Sequence, residues 1–411
     1  MIMKLTYSLP MLLLVALTGF GLCSCEEEGG LQESQLIYFS ITEPYARIGG
    51  VTCTVDNINM RVTNVDPIPA DIDLTAVKPY FVLNHPGQGV FVKGVEQKSG
   101  ESVQNLSVPV DYEVKSERGT LKYTVSLTKS ETLHTQAAVV MSKLTDLVGG
   151  IVAEREQWLN PGLRFSEVDF TAADDGRGLR LDLFEIDLTR DDLALYPLTA
   201  DNISEAPAEG AVWPVQTITE QAAAAEAAGV KVLGAVNGDF YDIYNTNAPE
   251  GPICRGGKLM KDTFFSETGS RYFGVRDDGR ASVGGVGDFN SLMEHFTFAI
   301  GGRQYLLQAN APAEEIKADQ PRSHRVGIGT NLLDHKTVYI ACIEGKEGSA
   351  SSVRLLEIAY VLKAFGAAEA LNLDGGGSAT FVIKEGGAFK AVNRPDGPLR
   401  KVVNGVAIIK K

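Results

Sequence analysis

Two strand ends carry the residues best suited to chemistry: Asn372-Leu373-Asp374, which runs into Gly375-Gly376-Gly377-Ser378, and Asn237-Gly238-Asp239-Phe240-Tyr241-Asp242. Residues two apart on a strand share a face, so Asn372 and Asp374 reach the same space. The three glycines allow a tight turn with exposed backbone N–H groups, and Ser378 adds a hydroxyl. That combination suits an anionic or polyhydroxylated ligand. Two nucleotide signatures fail, because no Lys follows the glycines and GGGS lacks the dinucleotide spacing. A calcium loop counted from Asn372 puts Ile383 where a Glu is required.

The elements that must position these residues repeat a pattern. Thr217-Ile218-Thr219-Glu220 fits a capping box, Ala222 to Ala228 favour helix, Gly229 ends it, and the strand Val230 to Val236 delivers the Asn237 segment. Further on, Leu355, Leu356, Ala359, Leu362 and Phe365 share a helix face, Gly366 ends the helix, and a strand through Ala370 and Leu371 delivers Asn372. If the echo has meaning, the two strand ends line one site from neighbouring positions in a sheet. The alternation Leu179 to Leu188 predicts a half-solvated strand.

Gly-rich loops lie between and after these units: Glu250 to Lys258, Ala299 to Gly302, Arg322 to Gly327, Asn393 to Gly397 and Val403 to Val406. Arg325 and Arg394 stand beside such turns and are candidates for bidentate phosphate or carboxylate binding. His324 has an unperturbed pKa that makes it a usable acid or base. Asn237, Asp239, Asp242, Asn372 and Asp374 offer hard oxygens for Ca²⁺ or Mg²⁺, with Asp239, Asp242 and Asp374 as the candidate carboxylates. Their spacing fixes no coordination shell, and no Cys or His spacing suggests zinc.

The chain has 411 residues and a formal charge of −14, which argues against nucleic acid as a partner. Lys4, the apolar run Pro10 to Leu22 and Leu22-Cys23-Ser24-Cys25 have the layout of a signal peptide over residues 1–24. This end resembles a bacterial lipobox, which implies lipidation at Cys25, export, and anchoring in the outer membrane with the chain facing outward. Residues 25–34 form an acidic tether, 35–130 read as a β-sandwich-like domain, 131–157 as a helical connector, and 158–411 as a larger α+β domain with a mixed sheet. In an exported protein Cys254 and Cys342 could form a disulfide, a pairing that spacing cannot establish.

The ordered set NGDFYD, GPICRGGKL, AIGG, HRVGIG, EALNLDGGGSATFV, VNRPDG and VVNGVAI resembles the phosphodiester glycosidase family over about residues 160–411. Asp239 replaces a glycine usual in the first block, and Ser323-His324-Arg325 departs from the usual Arg-Thr. The resemblance implies cleavage between a sugar anomeric carbon, with N-acetylglucosamine a candidate sugar, and a phosphodiester oxygen. It implies catalytic roles for Asp374, Asp239 and Arg325. Backbone N–H groups of Gly375, Gly376, Gly377 and Ser378, with Arg325 and Arg394, would hold phosphoryl oxygens; Asn237, Asn372, Asn393, Asn404 and His324 would contact substrate or orient the carboxylates. Glycan binding without cleavage, and transfer to a sugar acceptor, are the alternatives.

Overall fold

A computed structural model describes residues 33–43, 51, 53–65, 67–68, 72–129, 134–318, 321–346, 352–393 and 398–411. The chain is 47% strand and 13% helix, a β-rich fold of several sheets, which corrects the expected α+β class with a mixed sheet. Among the described residues from 148 onward, every strand pairing is antiparallel. The parallel strand pair, Arg61–Asn64 beside Gly119–Val125, lies in the N-terminal region.

The physical reason is in the crossovers. Helix Ile218–Ala227 links strand Leu193–Thr199 to strand Lys231–Asn237, but Asn404–Lys410 fills the slot between them and runs antiparallel to both. Helix Leu355–Ala364 likewise links Thr337–Gly345 to Glu369–Leu373 across the intervening strand Arg325–Thr330. Each helix-bearing unit is real, yet the strands that each helix joins do not pair with one another. The first helix starts as the sequence requires, with the Thr217 hydroxyl accepting from Glu220 N and the Glu220 carboxylate accepting from Thr217 N at 2.8 Å.

An eight-stranded sheet forms the middle layer. Leu181, Leu183, Leu306 and Ile343 on one face pack against helices Gln136–Ser142 and Leu355–Ala364. The other face meets two five-stranded sheets in a core containing Phe165, Phe184, Phe273, Ile300, Leu373, Phe381 and Val406. Strand Gly178–Asp187 is therefore covered on both sides, not half-solvated. Its charges survive burial by pairing: Arg180 Nε donates to Asp169 at 2.6 Å, and Glu185 accepts from Arg164 Nε at 2.7 Å. Asp182 is the exception, with both oxygens unpartnered; burial and the nearby Glu344 push its pKa well up, favouring the protonated form.

Strands between Leu36 and Val125 share a separate cluster that includes Phe39, Tyr112 and Tyr123, with Trp158 packed against it. The connector helix is shorter than its apolar spacing predicts: Gln136–Ser142 ends early, and Gly149-Gly150 belong to strand Val148–Asn160. Cys254 and Cys342 are buried free thiols on different sheets, so the pairing that spacing left open is not made.

Candidate active site

Three sheets end at one junction. Asn237 closes its strand in one five-stranded sheet, Gly301-Gly302 close strand Phe296–Gly302 in the other, and Leu373 closes strand Glu369–Leu373 in the eight-stranded sheet. The two Asn-x-Asp ends thus meet across sheets, not as neighbours within one. Asp374 N donates to Gly238 O at 3.0 Å, and Asn237 Nδ2 donates to Asp374 O at 2.6 Å. Asn237 Oδ1 also accepts from Thr380 N at 3.0 Å, so this side chain clamps both ends of the glycine turn.

Asp239 lies at the bottom of the junction and is 2% exposed. Its N–H donates to Asn404 Oδ1 at 2.8 Å, and its Oδ2 accepts from Gly251 N at 2.6 Å. Its Oδ1 has no partner. Gly301 makes this burial possible, since a Cβ there would sit 2.2 Å from Asp239 Oδ2 and 2.6 Å from Gly251 Cα. Burial raises the Asp239 pKa to about 8; the Gly251 hydrogen bond and Lys261 pull it down, while Glu250 and Asp374 push it up. At neutral pH the carboxyl is mostly protonated.

Asp374 has other surroundings. Burial raises its pKa as well, but hydrogen bonds from Ser378 and from Gly375 N at 2.9 Å oppose the rise, as do the charges of Arg400 and Arg303. Arg400 Nη1 donates to Ser378 Oγ at 3.3 Å and lies over the turn, where a Cβ on Gly377 would stand 2.6 Å from Arg400 Nη2. Arg303 follows the glycine pair, stacks on Phe240 at 4.1 Å and pairs with Glu250. Tyr241, whose hydroxyl donates to Lys401 O at 3.1 Å, lies within the fields of Asp374 and Arg400.

The remaining expected site residues separate into groups. Asn372 and Asn404 are buried at the junction with polar atoms left over: Asn372 Nδ2 donates to Gln304 at 2.8 Å while its Oδ1 is unpartnered, and Asn404 Nδ2 is unpartnered. Asn393 is spent internally, accepting from Phe381 N and donating to Ala379 O. His324 is buried beneath the turn; its carbonyl accepts from Gly376 N at 2.9 Å and its Nδ1 from Gly345 N at 3.3 Å. Of the expected N–H cradle, Gly375, Gly376 and Ser378 donate within the turn or to His324, leaving Gly377.

Arg325 sits on the helix-covered face of its strand, with Nη2 donating to Pro321 O at 2.6 Å, and burial lowers its pKa. Asp242 caps its own loop, accepting from the backbone of Tyr244, Asn245 and Thr246. It therefore does not join Asp239 and Asp374, and among the described residues no three acidic, His or Cys side chains converge as a metal-binding group. Arg394 and Cys25 lie outside the described residues. Sequence reasoning missed Glu250, Arg303 and Arg400. The available signal was a charged residue directly abutting a glycine motif: Glu250 before Gly251, and Arg303 after Gly302.

The geometry brings two perturbed carboxyls, two arginines and three orphaned buried polar atoms to one place. Residues 231–409 match a family model described as phosphodiester glycosidase. The C-terminal part of the chain resembles the phosphodiester glycosidases. The match starts at the first residue of the Asn237 strand, later than the expected start near residue 160, and spans the whole junction; it supports glycosidase-type chemistry. Two solved structures are also similar. The zebrafish N-acetylglucosamine-1-phosphodiester alpha-N-acetylglucosaminidase catalytic domain, auto-inhibited by its pro-peptide, is 21% identical with a TM-score of 0.46, covering 63% of this chain and 89% of that one. A hypothetical protein from Synechocystis is 10% identical with a TM-score of 0.45, covering 82% and 77%. No curated protein matches the chain.

Proposed function

We propose that this protein hydrolyses the bond between a sugar anomeric carbon and a phosphodiester oxygen, releasing free sugar and a phosphate monoester. The observation that carries the reading is the meeting at one junction of two carboxyls whose pKa values are both raised by burial, Asp374 with two arginines and two hydrogen bonds opposing the rise and Asp239 with one hydrogen bond and Lys261 opposing it. Asp374, whose burial-raised pKa is opposed by two arginines and two hydrogen bonds, activates water or stabilises the cationic sugar ring. Asp239 stays neutral and presents its unpartnered Oδ1 to the substrate. A phosphate monoester leaves as a weak base, so the reaction demands little proton transfer to the leaving oxygen. A neutral carboxyl then serves mainly as a hydrogen-bond donor, and the chief requirement is stabilisation of charge.

Incubation of the purified protein with an α-linked N-acetylglucosamine phosphodiester, following sugar and phosphate monoester by chromatography, tests the proposal. Turnover abolished in Asp374→Asn supports it; binding of the sugar without turnover would favour a glycan-binding role instead. In the same proposal the protein works outside the cell, lipid-anchored at Cys25, and metabolic fatty-acid labelling should disappear in Cys25→Ala.

A further inference from the structure

We propose that Arg303, and not Arg325, is the residue that anchors the substrate's phosphoryl oxygens and so selects an anionic leaving group. The inference rests on the hydrolytic reading for the identity of the anion but on the geometry for its location. Arg303 N donates to Asn372 O at 3.0 Å, which ties its backbone to the strand that delivers Asp374. Its Nε and Nη2 donate to the two Glu250 oxygens at 2.9 and 2.6 Å, and the guanidinium lies 4.1 Å from the centre of the Phe240 ring. A planar cation gripped along one edge and stacked on one face has few ways left to move.

The other edge is free. Nη1 has no partner among the described residues, and the side chain is 43% exposed while Glu250 is 10% exposed. Asp374 and Asp239 both lie close enough to favour the charged form of Arg303. The guanidinium therefore presents unspent N–H donors beside both carboxyls, at fixed orientation. An incoming phosphoryl group must approach these acids, and a cation in this position offsets that repulsion.

Competing cations are less suited. Arg325 spends Nη2 on Pro321 O and has no acidic neighbour that perturbs it. Lys261 donates to the carbonyls of Gly251 and Thr263. Arg400 is exposed, and among the described residues its side chain bonds Ser378, at 3.3 Å. It can assist, but no carboxylate among the described residues grips it as Glu250 grips Arg303.

The test compares wild type, Arg303→Gln, Arg303→Lys and Arg325→Gln. Calorimetry with inorganic phosphate and, separately, with uncharged N-acetylglucosamine reads binding; kinetics on the α-N-acetylglucosamine phosphodiester read KM against kcat. Arg303→Gln should weaken phosphate binding about ten- to a hundredfold, the range expected for one charge-assisted contact. It should raise KM more than it lowers kcat and leave affinity for N-acetylglucosamine within about twofold, a readout that general misfolding would not spare. Arg303→Lys should fall between, and Arg325→Gln should bind phosphate like wild type. Turnover that persists with phosphate affinity untouched in Arg303→Gln overturns the inference and leaves the hydrolytic reading standing. Phosphate held through Arg303 in a protein without turnover keeps the inference and overturns hydrolysis. Wild type that binds no phosphate at millimolar concentration overturns the inference, whatever the turnover.

Discussion

The two Asn-x-Asp strand ends have nearly the same sequence, and burial raises both carboxyls, yet the groups that oppose the rise differ. Asp239 is enclosed: a Cβ on Gly301 would lie 2.2 Å from its Oδ2, one backbone N–H bonds one oxygen, and no arginine among the described residues donates to it. Asp374 stands at the lip, bonded by Gly375 N and within the fields of Arg303 and Arg400. Desolvation disfavours the charged form, whereas neighbouring cations and donors restore it. The lesson is that the residue type sets the repertoire and the neighbours choose the role.

The comparison is broken most severely by removing the charge at the lip. Asp374→Asn should cost about 10²- to 10⁴-fold in turnover, the usual range for a general acid or base, while far-UV circular dichroism stays native. At the enclosed end the outcome depends on the replacement. Asp239→Ala removes the donor and should cost about 10²-fold, whereas Asp239→Asn keeps an N–H at the Oδ1 position and should cost about tenfold or less. Equal losses in Asp239→Asn and Asp374→Asn would erase the proposed division of roles. The wild-type activity profile should also fall at high pH with a midpoint near 8 as Asp239 ionises, and this limb should vanish in Asp239→Asn.

A smaller perturbation acts on the wall. Gly301→Ala forces its new carbon to within 2.6 Å of the Gly251 backbone as well as the Asp239 carboxyl, so it should destabilise by about 1–3 kcal/mol in urea denaturation, as overpacking does. Gly287→Ala is the control. It lies in helix Val286–Leu292 with nothing within 4 Å, and should be neutral or stabilising by up to about 1 kcal/mol.

Much of this arrangement was legible in the sequence, for reasons that also mark the limit. The capping box at Thr217, the Gly229 and Gly366 stops and the strands delivering Asn237 and Asn372 are local signals, and local signals survive folding. The class was not legible, because the strand filling each crossover slot comes from elsewhere in the chain: Asn404–Lys410 separates Leu193–Thr199 from Lys231–Asn237. The alternation in Gly178–Asp187 misled for a related reason. Its charges face partners from neighbouring strands, such as Arg180 with Asp169, instead of water. At the site, acids at strand ends were readable, whereas Arg303 depends on Glu250 from 53 residues away and could be seen only once folded. Arg325 sits beside a turn as expected, but its strand register turns it towards the helix-covered face.

The least dramatic consequence of the two environments is a slope of stability with pH. For an acid whose folded pKa is raised, the native state keeps the proton after the unfolded chain has lost it. Stability from that group is then full below the unfolded value, near 4, and is lost as pH rises through the folded value, which for Asp239 is about 8. Unfolding free energy from urea titrations should accordingly decline between about pH 4 and pH 8. Asp239→Asn should flatten this decline without abolishing it, since Asp374 and the buried Asp182 have pKa shifts of the same sign. Asp182→Asn, made away from the junction, should flatten the slope without moving the activity profile. If Asp239→Asn leaves the slope unchanged, the enclosed carboxyl is already ionised in the native state, and the contrast between the two strand ends loses its electrostatic basis.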